Sequence, residues 1–281
     1  MSEQVCTKAV DTHGYPVETT GNVVLDILEH RSSTRAFARD DDDRPVVVTD
    51  EQRAAILHAA SRAPSAGAMM MYSIVSIREQ ATLDRLADLC DHQHDRQGAW
   101  ALIFVVDYAK WIDLFEHVGC FEPEFVERTG KAPRRAPGLG DFAIAAQDAV
   151  IAAQNAVVAA EALGLGSCYI GDIVENAEEV AALLDLPPYT MPLSMLIIGT
   201  PRKERPAIAH PVVNLVHEER YRRADDATMD AQVAEMDAMF RPRAREVGER
   251  VVDIYTRKHT SPFMAEMSRS MEWWFKNWLG K

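Results

Sequence analysis

Residues 141–171 read DFAIAAQDAVIAAQNAVVAAEALGLGSCYIG, and this stretch decides the fold. Polar side chains fall at Gln147, Gln154 and Glu161, and again at Asp148 and Asn155, a seven-residue repeat. They form one seam on a helix whose other sides are small and apolar. The pattern predicts a helix over residues 141–163 that is buried nearly all round. Its alanines let neighbouring helices approach closely. Gly164-Leu165-Gly166 is a C-cap signal, and residues 167–170 read as a short strand.

Working outward, residues 72–77 (YSIVSI) are a β-branched run and predict a strand. Residues 100–107 (WALIFVVD) are apolar without a break and predict a strand covered on both faces. Residues 193–198 and 213–216 predict two more. Helical spacing marks residues 22–31, 81–91 and 177–184. Thr49-Asp50-Glu51-Gln52 has capping-box spacing and opens a helix that stops at Pro64. Residues 225–281 predict a helical tail ending in Trp273, Trp274, Phe275 and Trp278, with little core of its own and so expected to pack on a partner. The mixture of helices and strands indicates an α+β or α/β chain.

The chain has 281 residues, 47% of them hydrophobic and 26% charged, with a formal net charge of −13. That balance is globular, not disordered. The acidity argues against nucleic acid and against anionic membranes as partners. No run approaches the ~18–20 apolar residues of a membrane helix. The polar N-terminus has no signal-peptide pattern, and Cys6, Cys90, Cys120 and Cys168 lie far apart. The expectation is a cytoplasmic protein with reduced thiols.

Three segments offer chemistry. HRSSTRAF, residues 30–37, places Arg31 and Arg35 around Ser32, Ser33 and Thr34, a set of donors suited to phosphate. By spacing alone a solvated helix end is the plainer reading. APSAGAMMMYS, residues 63–73, has small residues that let a ligand reach the backbone. Three successive methionines cannot all face one core, so at least one lines a ligand or an interface; a tight turn is the plainer reading. GLGSCYIGD, residues 164–172, is not a Rossmann fingerprint, but its backbone amides are available to a ligand. Cys90 and His94 have helical spacing without further ligands nearby, and no metal is expected.

In this order the segments resemble the nitroreductase family of FMN-dependent oxidoreductases. RSSTRAF resembles the family's opening R-R-S-x-R-x-F, and APSAGAMMMYSIVSI its A-P-S-A-G-N-x-Q stretch leading into a strand. Residues 141–171 resemble its central helix and following strand. LPPYTMPLSMLIIGTP, residues 186–201, resembles its later proline-glycine signature. The resemblance covers about residues 22–218. The tail resembles those of the longer flavin and nitro-compound reductases, which end in M-x-R-S-x-x-x-W/F.

The resemblance implies an α+β fold with a central, mostly antiparallel sheet flanked by helices, and a long central helix at a homodimer interface. It divides the chain into an arm (residues 1–21), an FMN-binding domain (22–218) and a helical extension that wraps the partner subunit (219–281). It implies FMN as cofactor, NADH or NADPH as donor, and a small-molecule acceptor reduced in a ping-pong cycle. Arg31, Ser32, Ser33 and Arg35 then hold the FMN phosphate and ribityl chain. Pro64, Ser65, Ala66, Ala68 and Met70 border the ring from the other subunit. Tyr169, Ile170 and Gly171 lie behind the flavin, with a backbone N–H at or just after Gly171 directed at N5, and the Asp172 carboxylate lies near N5. No side chain is required as a catalyst; aromatics in residues 111–125 and Tyr72 shape the pocket.

The chain departs from the family in four places. Ala68 stands where the family has Asn, Met70 where it has Gln, and Asp172 where a Gly is common. The late Lys/Arg pair is replaced by Ala207-Ile208-Ala209, which leaves Arg205 as the substitute phosphate ligand. These departures keep two alternatives open: a flavin store or sensor, and another flavin reaction such as dehalogenation or ene reduction. In a dimer the charge doubles to −26, so anionic ligands depend on local cations at Arg31, Arg35 and the Arg134-Arg135 loop.

Overall fold

Trp100–Asp107 is the axis of the structure. A strand with no polar alternation must be covered on both faces, and all eight of its residues are buried. In the computed structural model, residues 21–91, 98–131, 135–203, 214–239 and 246–280 are described, together with the backbone of a small ladder between β1 (Ala9–Val10) and β2 (Pro16–Val17). The main sheet holds β3 (Tyr72–Ile77), β4 (Trp100–Asp107), β5 (Gly166–Ile170) and β6 (Thr190–Gly199). Its order is β3-β4-β6-β5, and every neighbouring pair is antiparallel. β6 starts before the expected residue 193 because Thr190–Pro192 continue the ladder past a bulge at Phe104/Val105. Pro192 has no N–H to donate and sits beside that irregularity, where it is tolerated.

One face of the sheet carries α2 (Asp50–Ser61) and α6 (Leu139–Ala162) over Trp100, Leu102, Phe104 and Leu196. Thr49 and Gln52 close the expected capping box on α2. The other face carries α3 (Gln80–Leu89), α7 (Ala177–Leu183) and the last helix over Ile103, Met195 and Ile197.

The seven-residue seam predicts burial nearly all round α6, and the structure corrects this. Ala145, Asp148, Ala149, Ala152, Ala153, Ala156, Val157 and Ala160 are buried on one side. On the opposite side Ile144, Val150 and Ile151 are 44%, 50% and 39% exposed. A sheet covers only one face of a helix, so the second apolar face stays open. By length and hydropathy alone this 24-residue helix is apolar enough to cross a membrane. Here it is a core helix, tied down by Asn155, whose amide donates to Ala59 O at 3.1 Å. The expected strand at 213–216 is not found: Val213 lies outside the described residues, and Asn214 and Leu215 form a turn.

The chain divides into two compact units. Residues 1–32 and 205–265 make one, with α1 (Val23–His30), α8 (Asp226–Met239) and α9 (Glu249–Ile254). Asn22 caps α1 through Val24 N and Leu25 N, and Asp237 accepts from Gly248 N at 2.6 Å and Arg250 N at 3.1 Å at the start of α9. Residues 33–204 and 266–281 make the other: the sheet, α2 to α7 with α4 (Ala109–His117) and α5 (Pro123–Thr129), and nearly all of α10 (Phe263–Trp278). The expectation that the terminal tryptophans pack on a partner is corrected. Trp274 and Trp278 are fully buried in their own chain, Trp278 edge-on to Phe142 at 5.2 Å between ring centroids.

Candidate functional site

The outer edge of β5 is not free. Ser33 bridges Ser167 in parallel, and Thr34 N donates to Ser167 O at 2.8 Å. Ser33 and Thr34 are thereby laid along the strand that leads to Gly171. The approach is close enough to require glycine: a Cβ on Gly166 would fall 2.1 Å from Thr34 Oγ1. That hydroxyl is buried and has no partner among the described residues. Ser33 is half-buried and Arg35 exposed. Arg31 closes α1, its N–H donating to Ile27 O at 2.9 Å, and Ser32 follows it.

Beyond β5 the chain makes a 3-10 turn, Gly171–Val174, then Glu175 and Asn176, and enters α7. Ile170 is buried in the core, so only its backbone can meet a ligand. Tyr169 points the other way and is 39% exposed. A Cβ on Gly171 would meet nothing within 4 Å, so the turn presents backbone across open space. The open backbone at Gly171 and the hydroxyl and guanidinium types of Ser33 and Arg35 are chemically compatible with a phosphate-bearing ligand such as a flavin mononucleotide.

Negative charge collects under this turn. Glu175 is only 4% exposed, and its Oε1 has no partner among the described residues. Burial, and then Asp172, Asp91 and Glu266, push its carboxyl up to about 7. Burial and the same acidic neighbours, Asp172 and Glu175, push the Cys90 thiol up. Cys90, Cys120 and Cys168 are not joined in disulfides.

The second predicted segment sits at the opposite edge of the sheet. Residues 64–70 precede β3, three strand spacings from β5, about 14 Å. The loop is strained: Gly67, Ala68 and Met70 have φ of 57°, 55° and 50°. Ser65 Oγ accepts from Met70 N at 3.1 Å, and Asp148 on α6 accepts from Ala66 N at 3.0 Å and Met71 N at 3.3 Å. Pro64, Ala66, Ala68 and Met70 are exposed. Met71 is buried and Met69 half-buried, so Met70 is the methionine turned outward. Trp111 pins the loop through Nε1 to Met69 O at 2.9 Å and leads a chain of rings, Trp111–Phe115–Phe121, with centroids 5.5 and 6.3 Å apart.

Two expectations change. Tyr72 is a core residue, its hydroxyl donating to Ala60 O at 3.2 Å, so it lines no pocket. Arg135 is engaged by Asp141 at 2.6 and 2.9 Å and is no free cation. Arg134, Arg205, His92 and His94 lie outside the described residues. Sequence reasoning named Thr34 among the donors and Asp148 only as part of the seam, and missed Glu175 and the residues of α10 that touch the turn. The four-residue spacing of Glu266, Ser270 and Trp274 marks one helix face but not what that face touches.

The Nitroreductase family matches residues 28–200. The chain is similar to the oxygen-insensitive NADPH nitroreductase of Salmonella typhimurium, 33% identical over 218 residues that cover 75% of this chain and 81% of that one. It is similar to the FMN reductase (NAD(P)H) of Bacillus subtilis, 30% identical over 75% of this chain and 78% of that one. Among solved structures it resembles the NADPH:FMN oxidoreductase of Vibrio harveyi complexed with NAD+, with TM-score 0.67 and 25% identity over 89% of this chain and 97% of that one.

Proposed function

The chain belongs to the nitroreductase family, and from that premise we propose how it works. It is an FMN-dependent oxidoreductase that takes electrons from NADPH or NADH and passes them to a small electron-poor acceptor: a nitroaromatic, a quinone or free flavin. When bound, FMN would supply the hydride- and electron-transfer chemistry that links a nicotinamide donor to a small acceptor in a ping-pong cycle. The protein supplies position, polarity and exclusion of water.

Arg31, Ser32, Ser33 and Arg35 hold the phosphate and ribityl chain, with Arg205 as a late phosphate ligand. Tyr169, Ile170, Gly171 and Asp172 form the N5 edge through side chain or backbone. The observation that carries this reading is the parallel pairing of Ser33 with Ser167, which sets the phosphate-type donors along the strand leading to Gly171.

One chain leaves the site half built, because residues 64–70 lie at the far edge of its own sheet. A second copy completes it. The open apolar face of α6, with Ile144, Val150 and Ile151, is the surface on which the two copies meet. Pro64, Ser65, Ala66, Ala68 and Met70 then border the ring bound to the partner. The reductase domain is residues 22–218; of the extension 219–281, the part before residue 266 embraces the partner, since residues 266–281 pack with their own sheet. The cytoplasmic nicotinamide pool supplies the donor.

Purified protein should be yellow, should sediment at twice 31.4 kDa, and should bleach on anaerobic addition of NADPH or NADH. Reoxidation by a quinone or nitroarene within seconds distinguishes a reductase from a flavin store. A colourless monomer indifferent to added FMN overturns the reading.

A further inference from the structure

α7 begins without a cap of its own. Asn176, at its N-cap, is left-handed (φ 47°, ψ 46°) and makes no side-chain cap bond. Its side-chain amide donates instead to Leu89 O at 2.8 Å. The N–H groups at a helix start have no intrahelical acceptor and need one from elsewhere. Here α10 provides them. Glu266 Oε1 accepts from Asn176 N at 3.2 Å, and Ser270 Oγ accepts from Ala177 N at 3.2 Å. One turn further on, Trp274 Nε1 donates to Val174 O at 2.9 Å.

These three residues are spaced four apart, so they share one face of the helix. Ser270 and Trp274 are fully buried. The face is locked at its rim: Arg269 binds both oxygens of Glu178 at 2.9 Å and Glu266 at 2.8 Å. Ser270 Oγ also donates to Glu266 at 2.8 Å. The Arg269 guanidinium, first among the causes, holds the Glu266 carboxyl down at about 2, so it remains an acceptor throughout the working range. In these three hydrogen bonds the group on the turn is main chain each time. Such bonds fix backbone placement directly.

We propose that Glu266, Ser270 and Trp274 are positioning residues for the reductase reaction: one face of the C-terminal helix fixes the 171–177 turn, and so holds the backbone that meets the flavin's reactive edge. This rests on the family reading of that turn. None of the three touches the cofactor. They act through the turn, as outer-shell groups orient a reactive centre. The helix therefore belongs to the flavin site, although about 90 residues separate it from the turn in sequence.

The test uses Trp274→Phe, which keeps the ring and removes the N–H, and Ser270→Ala, with the exposed Glu272→Gln as control. Amide hydrogen exchange is read first, without added FMN. Exchange at Asn176 and Ala177 should accelerate in Ser270→Ala and stay at wild-type rates in Glu272→Gln. With FMN bound, stopped-flow reduction by NADPH should slow on the order of tenfold in either clamp variant, the size seen when an outer-shell partner is removed. The FMN dissociation constant should change less than about threefold, because the phosphate contacts lie elsewhere. Ser270→Thr, which restores the hydroxyl, should recover the rate. If Trp274→Phe does not fold, Ser270→Ala alone carries the test. Wild-type exchange and wild-type reduction rates in Ser270→Ala overturn the proposal. A wild-type protein that holds no FMN overturns the family reading instead, and leaves the exchange result to decide the clamp.

Discussion

The 171–177 turn and the 64–70 loop both offer backbone to a ligand, at opposite edges of one sheet, and they are held in opposite ways. The turn has a single left-handed residue, Asn176, and is braced by a main-chain carbonyl of α3 and by side chains of α10. The loop has three left-handed residues and is held from outside by Asp148 and Trp111. The turn's geometry is imposed by distant packing. The loop's is stored as local strain against one buried carboxylate, the arrangement expected where a site must present main chain in an unusual conformation.

The largest expected effect comes from removing that carboxylate. Asp148 is 2% exposed and accepts from both ends of the loop. Asp148→Ala leaves Ala66 N and Met71 N without their acceptor and opens a cavity under α6. Charge-assisted bonds of this kind contribute roughly 1.5–3 kcal/mol each, so a loss of about 3–5 kcal/mol is expected in urea denaturation. A loss below about 1 kcal/mol would show that the loop holds its own shape.

The next effect belongs to the turn and depends on pH. An unfolded glutamate titrates near 4.5, and folding raises Glu175 to about 7. The folded state therefore binds this proton more tightly. Its contribution to stability is complete below pH about 4.5 and is lost as pH rises towards 7, by up to about 3 kcal/mol. The charged groups facing it are Asp172 on the turn, Asp91 after α3 and Glu266 on α10, and all three are acidic. Glu175→Gln should flatten the stability curve between pH about 5 and 7 and leave the variant more stable than wild type at pH 8. An unchanged slope would place the titration elsewhere.

These two regions also show what a sequence makes legible. β3 and β4 match their predicted runs residue for residue; β4, buried throughout, leaves no choice of side-chain type, and β3 shows itself by its β-branched residues. The RSSTR and GSCYIG segments were visible as separate ligand-type stretches, but only the Ser33–Ser167 pairing makes them one place. α6 showed its polar seam correctly, yet Asp148 and Asn155 face the α2 and loop backbone of their own chain, while Val150 and Ile151 are left open. Periodicity reports that a side is apolar; it does not report whether the same chain covers it. The clamp on the turn is illegible for a related reason. A hydrogen bond from Trp274 to Val174 O has no local pattern, since the acceptor is main chain and every residue carries one.

The smallest effect concerns the strain itself. Ala68 has φ 55°, a conformation that costs a residue with a Cβ about 1–2 kcal/mol and costs glycine little. Ala68→Gly relieves that cost but gives the unfolded chain more freedom, a loss of about 0.4–1 kcal/mol. The two terms oppose each other, and the strain is the larger, so a net gain of about 0.5–1 kcal/mol is expected by thermal unfolding. Ala68→Asn sharpens the point. Asparagine tolerates the left-handed region without loosening the unfolded chain as glycine does, so it should stabilise at least as much. If both substitutions destabilise, residues 64–70 are held by their surroundings as firmly as the turn is, and the contrast between the two edges of the sheet fails.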